Sequence, residues 1–362
     1  MSEKMFFNPD EIVVPKNVTD AKYIIKKFHT HAKKQGGYAL DTETTGLLWT
    51  VDKLLMISLY SPGMAVVLPL AWDNVNLSVN DVAEILKPLV NDKKLRAYLH
   101  NAKFDMHFLY NHGVYIHNEV FDTCVLGFDL DVTKAAKLKI RAKEELGIEM
   151  VEFKDKFKIG GRHKLTLLDY PANEVGKYAA LDVFATYGLA DKFLRPKQEG
   201  DPYKQSVCLN SPDPDIPMLY DRVDHPIVKI LWDMERAGIM VDVPKLLKAK
   251  KTYTEDLEVL ETKILKEADV AFNMNSPKQV TQVFAHRGIA MDSTDEKHLE
   301  SVAKRGDKLA KLMLDYRKKT KILSTYITTT LENRDELDRV HTSLNLHVAA
   351  TGRLSSSAPM NL

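Results

Sequence analysis

The sequence predicts an α/β chain in which a mixed sheet covered by helices is followed by a mainly α-helical region. Three observations carry that prediction. Apolar, strand-like runs follow one another between residues 38 and 70, and strand and helix patterns then alternate. Five prolines between Pro196 and Pro217, set among Gly, Ser, Asp and Asn, interrupt the pattern. Beyond them, apolar residues recur at helical spacing through a Lys- and Glu-rich stretch.

The bounds set by composition agree. A chain of 362 residues suggests two or three domains, and 44% hydrophobic residues are enough for real cores. With 51 basic and 50 acidic residues the formal charge is +1, so net charge selects no partner. Cys124 and Cys208 have no metal-ligand spacing and make no disulfide framework, which suits a reducing cytosol. No apolar run approaches the ~20 residues of a membrane span. The start, Met1 to Met5, lacks the features of a secretory signal or a transit peptide. The expectation is a cytoplasmic protein without a membrane partner.

Taken in order, Val18-Thr19-Asp20 can cap a helix through Phe28, which Gly36-Gly37 ends. Tyr38 to Leu40 starts a strand. Lys53 to Tyr60 is a second, stopped by Ser61-Pro62-Gly63, and Ala65 to Leu70 is a third. The short turns predict an antiparallel meander. Asn80-Asp81 opens a helix expected to end near Pro88. Leu95 to Leu99 is a fourth strand, running through His100-Asn101 into a helix that holds Asp105. A charged helical region spans Ala135 to Leu146, and Pro171 opens a helix through Leu194. Residues 201–220 read as a linker. Tyr253, Leu257, Leu260 and Ile264 form one helical stripe. Leu309, Leu312, Met313, Tyr316, Leu323 and Ile327 form another. Two stripes around a compact insert predict an antiparallel helical pair.

Chemistry enters at Leu40-Asp41-Thr42-Glu43-Thr44-Thr45-Gly46-Leu47. Alternate residues of a strand share a face, so Asp41 and Glu43 point the same way. Two such carboxylates raise each other's pKa unless a cation lies between them, and hard divalent cations prefer oxygen ligands. A lone pair of this kind is more often the solvated face of an edge strand. Asp105 alone reads as a helix cap. Asp182 lies in an apolar helical segment, one turn from Tyr178 on the same face, where an unpaired carboxylate is costly. A Tyr–Asp hydrogen bond would be the structural explanation.

Together, D-x-E on a strand, N-x-x-x-D at a strand–helix junction and Y-x-x-x-D on a helix resemble the DEDD 3′–5′ exonucleases of the tyrosine subtype. The matches are Asp41 and Glu43, Asn101 and Asp105, and Tyr178 and Asp182. The resemblance implies a ribonuclease H-like domain over residues 1–200. It also implies two divalent ions, Mg²⁺ or Mn²⁺, held by Asp41, Glu43, Asp105 and Asp182. Tyr178 would orient the attacking water. Asn101, Thr44 and Leu47 would contact the terminal nucleotide of a DNA 3′ end, Leu47 as a wedge against the last base.

From about residue 221 the chain resembles family A DNA polymerases. Asp224-His225-Pro226 through Asp242 resembles the helix entering the palm. Asn275-Ser276-Pro277-Lys278-Gln279 and Leu314 to Lys321 resemble the thumb, and Ala350-Thr351-Gly352-Arg353-Leu354-Ser355 resembles the loop leading to the palm. Between Ser301 and Thr330, eight basic residues face two acids, which suits a phosphate backbone as well as a solvated helix face. Lys318, Lys321 and Arg353 are the DNA contacts that the resemblance implies. The family's catalytic palm motifs do not occur in the chain. The sequence therefore predicts an exonuclease part without polymerisation of its own, with residues 335–362 exposed or disordered. The alternative is a DNA-gripping, complementing half of a split polymerase, whose partner would be a second polypeptide carrying palm and fingers. An RNA-trimming nuclease is a third reading.

Overall fold

The computed structural model describes residues 8, 11–72, 77–158, 165–196 and 207–357. It divides into two compact units, Met1–Arg236 with Leu344–Ser355, and Ala237–Ser343 with Ser356–Leu362.

The first unit is built on a five-stranded sheet of order β3-β2-β1-β4-β5. Helix α1 (Val18–Gln35) precedes it. Its cap is Asn17, one residue ahead of the expected triplet, accepting from the Asp20 amide at 2.9 Å. Gly36 ends the helix at φ 83°, a left-handed turn that glycine adopts without strain. Strands β1 (Gly37–Thr44), β2 (Leu54–Ser61) and β3 (Met64–Pro69) form the expected antiparallel meander. Helix α2 (Val82–Val90) ends near Pro88, as expected, but two residues beyond it, so that the proline lies inside the last turn. Val82, Ile85, Leu86, Leu89 and Val90 are all buried, and that stripe outweighs one lost backbone hydrogen bond. Strand β4 (Arg96–Leu99) pairs parallel to β1, and helix α3 (Ala102–Asn111) follows it. Strand β5 (Glu119–Asp122) and helix α4 (Thr123–Leu130) complete the alternation; their four and eight residues were not legible beforehand.

Helix α5 (Leu138–Arg141) continues as a π-helical turn to Leu146, within the expected charged region. After α6 (Phe153–Lys156) comes the long α7 (Ala172–Phe193). Strands β6 (Leu194–Pro196) and β7 (Val207–Leu209) pair antiparallel, and α8 (Asp215–Leu219) follows. The expected linker at 201–220 lies partly outside the described residues. Helix α9 (His225–Ala237) packs in the first unit: Trp232 joins the core with α1 and α2, and Val228 the core with α7.

Pleat parity decides what each sheet face meets. Tyr38, Leu40, Ile57, Leu59, Val66, Leu68, Ala97 and Leu99 pack with α1, α2 and α3. Ala39, Tyr60, Ala65, Tyr98 and Phe121 pack with α7 and α4. Gly176 lets α7 approach β3, since a Cβ there would meet Val67 at 3.2 Å.

In the second unit, β8 (Ile239–Met240) precedes α10 (Val243–Ala268), α11 (Pro277–His286), α12 (Glu296–Lys304), α13 (Lys308–Lys321) and α14 (Thr329–Glu332). Lys308 reaches Glu267, Tyr316 reaches Glu261 and Lys319 reaches Asp256. Ascending α13 against descending α10 makes the two antiparallel, with Leu260, Ile264, Leu309, Met313 and Tyr316 in their common core. Residues 336–357 are more ordered than their sequence suggested, and the rest of that stretch lies outside the described residues. β9 (Arg339–Val340) pairs with β8, and Arg339 donates to the Ala237 and Gly238 carbonyls. Val340 and Thr342 are buried. Within the first unit, the Glu235 carboxylate accepts from the Leu344 amide at 2.7 Å.

Candidate active site

Asp41 and Glu43 have the parity of Ala39, so they lie on the sheet face covered by α7. That helix brings Tyr178 and Asp182, one turn apart, to the same place. Carboxylate oxygens of Asp41, Glu43 and Asp182 lie within 4.8 Å of one another. They line a cleft of about 420 Å³ together with Thr44, Leu47, Phe104, Leu168 and Tyr178.

Asp105 arrives from the other side. Pairing of β4 with β1 ends at Ala39, and α3 then turns its first turn toward the freed β1 edge. The buried Asp105 Oδ1 accepts from the Thr42 amide at 2.9 Å and the Thr42 hydroxyl at 2.7 Å. This keeps Asp105 outside the three-carboxylate group, with its charge still acting on Asp41 and Glu43. Asn101 does not line the cleft. It opens α3 in the left-handed region at φ 65°, which Asn tolerates better than most residues. The buried Asp122 carboxylate holds that junction, accepting from the amides of Asn101 (2.9 Å), Ala102 (2.8 Å) and Cys124 (2.9 Å).

The loop after β1 is fixed by Asp52, which accepts from the Thr45 hydroxyl and the Leu48 amide. Gly46 leaves room for it, because a Cβ would stand 2.6 Å from that carboxylate and force it to shift. Leu47 is left 80% exposed at the cleft, and Thr44 donates to the Gly46 carbonyl at 2.7 Å.

Burial, then mutual repulsion, raises Asp41 and Glu43 well above the ordinary carboxylate range. Burial pushes Asp105 and Asp182 to about 7, against the Thr42 hydrogen bonds in one case and the Lys139 charge in the other. Burial and the same carboxylates raise the Tyr178 phenol, so it is neutral at physiological pH. Asp182 Oδ1 is buried without a hydrogen-bond partner among the described residues. Clustered acids and an orphaned oxygen are what a divalent cation relieves, so the donor set fits a metal.

Comparison with known proteins assigns this unit. A 3′–5′ exonuclease family model matches residues 14–196, half of the chain. The chain belongs to this exonuclease family. A DNA polymerase family A model matches residues 243–362. The chain is 29% identical to DNA polymerase I of Synechocystis sp. over 94% of its length and 35% of that protein. It is 30% identical to DNA polymerase I of Pseudomonas aeruginosa over 89% of its length and 36% of that protein. It is also 28% identical to the DNA polymerase of Escherichia phage T5, over 90% and 40%. The exonuclease chain thus spans about a third of the curated relatives it matches first. Its fold is similar to that of the POL domain of Pol1 from M. smegmatis in complex with DNA primer-template and dNTP. The TM-score is 0.64 at 20% identity, covering 93% of this chain and 54% of that one. The chain is thus a member of the 3′–5′ exonuclease family that is similar to DNA polymerases I, and no described helix is long and apolar enough to cross a membrane.

Of the other residues singled out in the exonuclease sequence, Arg353 is exposed. Lys318 and Lys321 are exposed on α13. Three of the eight basic residues around them serve the fold: Lys308 pairs with Glu267, Lys319 with Asp256, and Arg317 donates to Thr294. Thr42, Asp122, Leu168 and Lys139 escaped the sequence. Asp122 alone had a local signal, a carboxylate just before an apolar helical run.

Proposed function

We propose that the cleft binds the 3′ end of a DNA strand and removes its terminal nucleotide by phosphodiester hydrolysis, the proofreading activity of a DNA polymerase I-type enzyme. The observation that carries this is the meeting of Asp41, Glu43 and Asp182 beside Tyr178 on one sheet face. Asp41, Glu43, Asp105 and Asp182 would hold two divalent ions, Mg²⁺ or Mn²⁺. Bound there, such ions supply a hydroxide at neutral pH and stabilise the leaving 3′ oxygen.

The chain's own residues do the rest. Tyr178, protonated, positions the attacking water by hydrogen bonding with Glu43 as its companion and does not deprotonate it. Leu47 presents an apolar surface to the last base, and Thr44 contacts the terminal nucleotide. Asn101 acts indirectly, by setting the start of α3. In the helical unit, Lys318 and Lys321, with no ion pairs among the described residues, meet duplex phosphates, and Arg353 contacts the primer–template.

The test is release of mononucleotides from labelled single-stranded DNA with Mg²⁺, with Mn²⁺ and with EDTA. Release is expected with either metal, and loss of at least a hundredfold in Asp41→Ala plus Glu43→Ala, about the worth of a transition-state metal site. Undiminished release from the double variant would overturn the assignment. Faster trimming of RNA ends would redirect it to RNA.

A second reading, DNA gripping by the complementing half of a split polymerase, is favoured by the exposed lysines of α13. It expects primer extension on mixing with a palm–fingers polypeptide, and no association at micromolar concentration excludes it.

A further inference from the structure

Lys139 reaches Tyr178, a residue of the cleft wall, from α5, and nothing in its sequence surroundings marks it. Its ammonium donates to the Tyr178 hydroxyl at 2.7 Å and lies 4.9 Å from the centre of that ring. Its side chain is largely buried, 15% exposed, and Glu152 stands 3.9 Å away. The segment that carries it is tightly held. Arg141, fully buried, donates to the Gly127 and Asp131 carbonyls, and Glu145 pairs with Lys134 at 2.6 Å and Lys192 at 2.7 Å. A long side chain on so pinned an element has little freedom to leave the phenol.

We propose that Lys139 is a positioning residue of the exonuclease site: it holds the Tyr178 hydroxyl by a charge-assisted hydrogen bond and places a fixed positive charge beside the carboxylates. This rests on the cleft being the exonuclease site. As acceptor from Lys139, the phenol oxygen has one orientation fixed, which leaves Tyr178 to act toward the attacking water as a hydrogen-bond donor. The same charge bears on Glu43 and Asp182, where it opposes the repulsion among the acids. The site is thereby kept assembled before metal arrives, at the expense of some metal affinity.

Two measurements on the full chain test this. In the first, single-turnover release from single-stranded DNA is compared for wild type, Lys139→Gln, Lys139→Arg, Tyr178→Phe and the Lys139→Gln/Tyr178→Phe double variant. Lys139→Gln is expected to slow release about tenfold, the worth of a charge-assisted hydrogen bond, with unchanged KM. Lys139→Arg should restore most of the rate, and the double variant should match Tyr178→Phe. Multiplying effects, or a full rate in Lys139→Gln, would overturn the proposal. In the second, Mn²⁺ binding is followed directly by electron paramagnetic resonance. Lys139→Gln should bind Mn²⁺ about three- to tenfold more tightly, since a repelling charge is gone. Weaker binding would mean that Lys139 is merely structural. If wild type releases no nucleotides, the exonuclease assignment fails, and the Mn²⁺ comparison still decides whether Lys139 sets the charge of the site.

Discussion

Asp105 and Asp182 sit where burial favours the protonated carboxyl, at about 7 rather than the ordinary value near 4. The folded state therefore binds protons more tightly than the unfolded one. That contribution to stability is fully present below about pH 4 and is lost as pH rises through 7. In the absence of metal, Asp105→Asn and Asp182→Asn should each match wild type near pH 4. Each should exceed it by on the order of 4 kcal/mol at pH 8, because the amide never has to ionise in a buried site. Thermal unfolding in EDTA at the two pH values measures this, and a pH-independent difference would contradict it. Added Mg²⁺ should remove the wild-type disadvantage at pH 8, since it binds the ionised form.

Among the elements, α3 and α4 depend on one side chain. Asp122 accepts three backbone amides, two at the start of α3 and one at the start of α4, without leaving the interior. Asp122→Ala should cost about 2–4 kcal/mol, a lost cap together with buried unsatisfied donors. Urea unfolding would show it as a lower midpoint with unchanged slope, and Asp122→Asn should recover part of it. This junction also shows where sequence reading reaches its limit. The shared face of Asp41 and Glu43 was legible because strand periodicity alone dictates it. The Tyr178–Asp182 pair was legible because helical periodicity does. Asp122 follows a strand of only four residues, too short for a pattern to declare itself. Lys139 belongs to a segment with many lysines, and its partner is 39 residues away, so only the packing of α5 against α7 singles it out. Pro88 marked the end of α2 only to within two residues for a related reason: the local cost of a proline was legible, but the burial of Leu89 and Val90 that carries the helix past it is a tertiary property.

At the scale of the whole molecule, each unit has its own apolar core, and the basic residues of the second divide by task. The α10–α13 core of Leu260, Ile264, Leu309, Met313 and Tyr316 is clasped by Lys308–Glu267 and Lys319–Asp256, with Arg287 bridging Glu267 and Asp307. Lys318 and Lys321 contribute to none of this and face solvent. Surface lysines of that kind cost nothing to hold in place, and each that meets a phosphate releases about one counterion. Replacing both by alanine should therefore leave the melting temperature within about a degree, as expected for exposed positions away from caps and cores. It should weaken binding to primer–template DNA uniformly across sequences and reduce the slope of log K against log salt concentration by about 2. Titrations at three or four salt concentrations give the slope directly. An unchanged slope would mean that these two charges face only water in the complex, and that another part of the helical unit follows the DNA backbone.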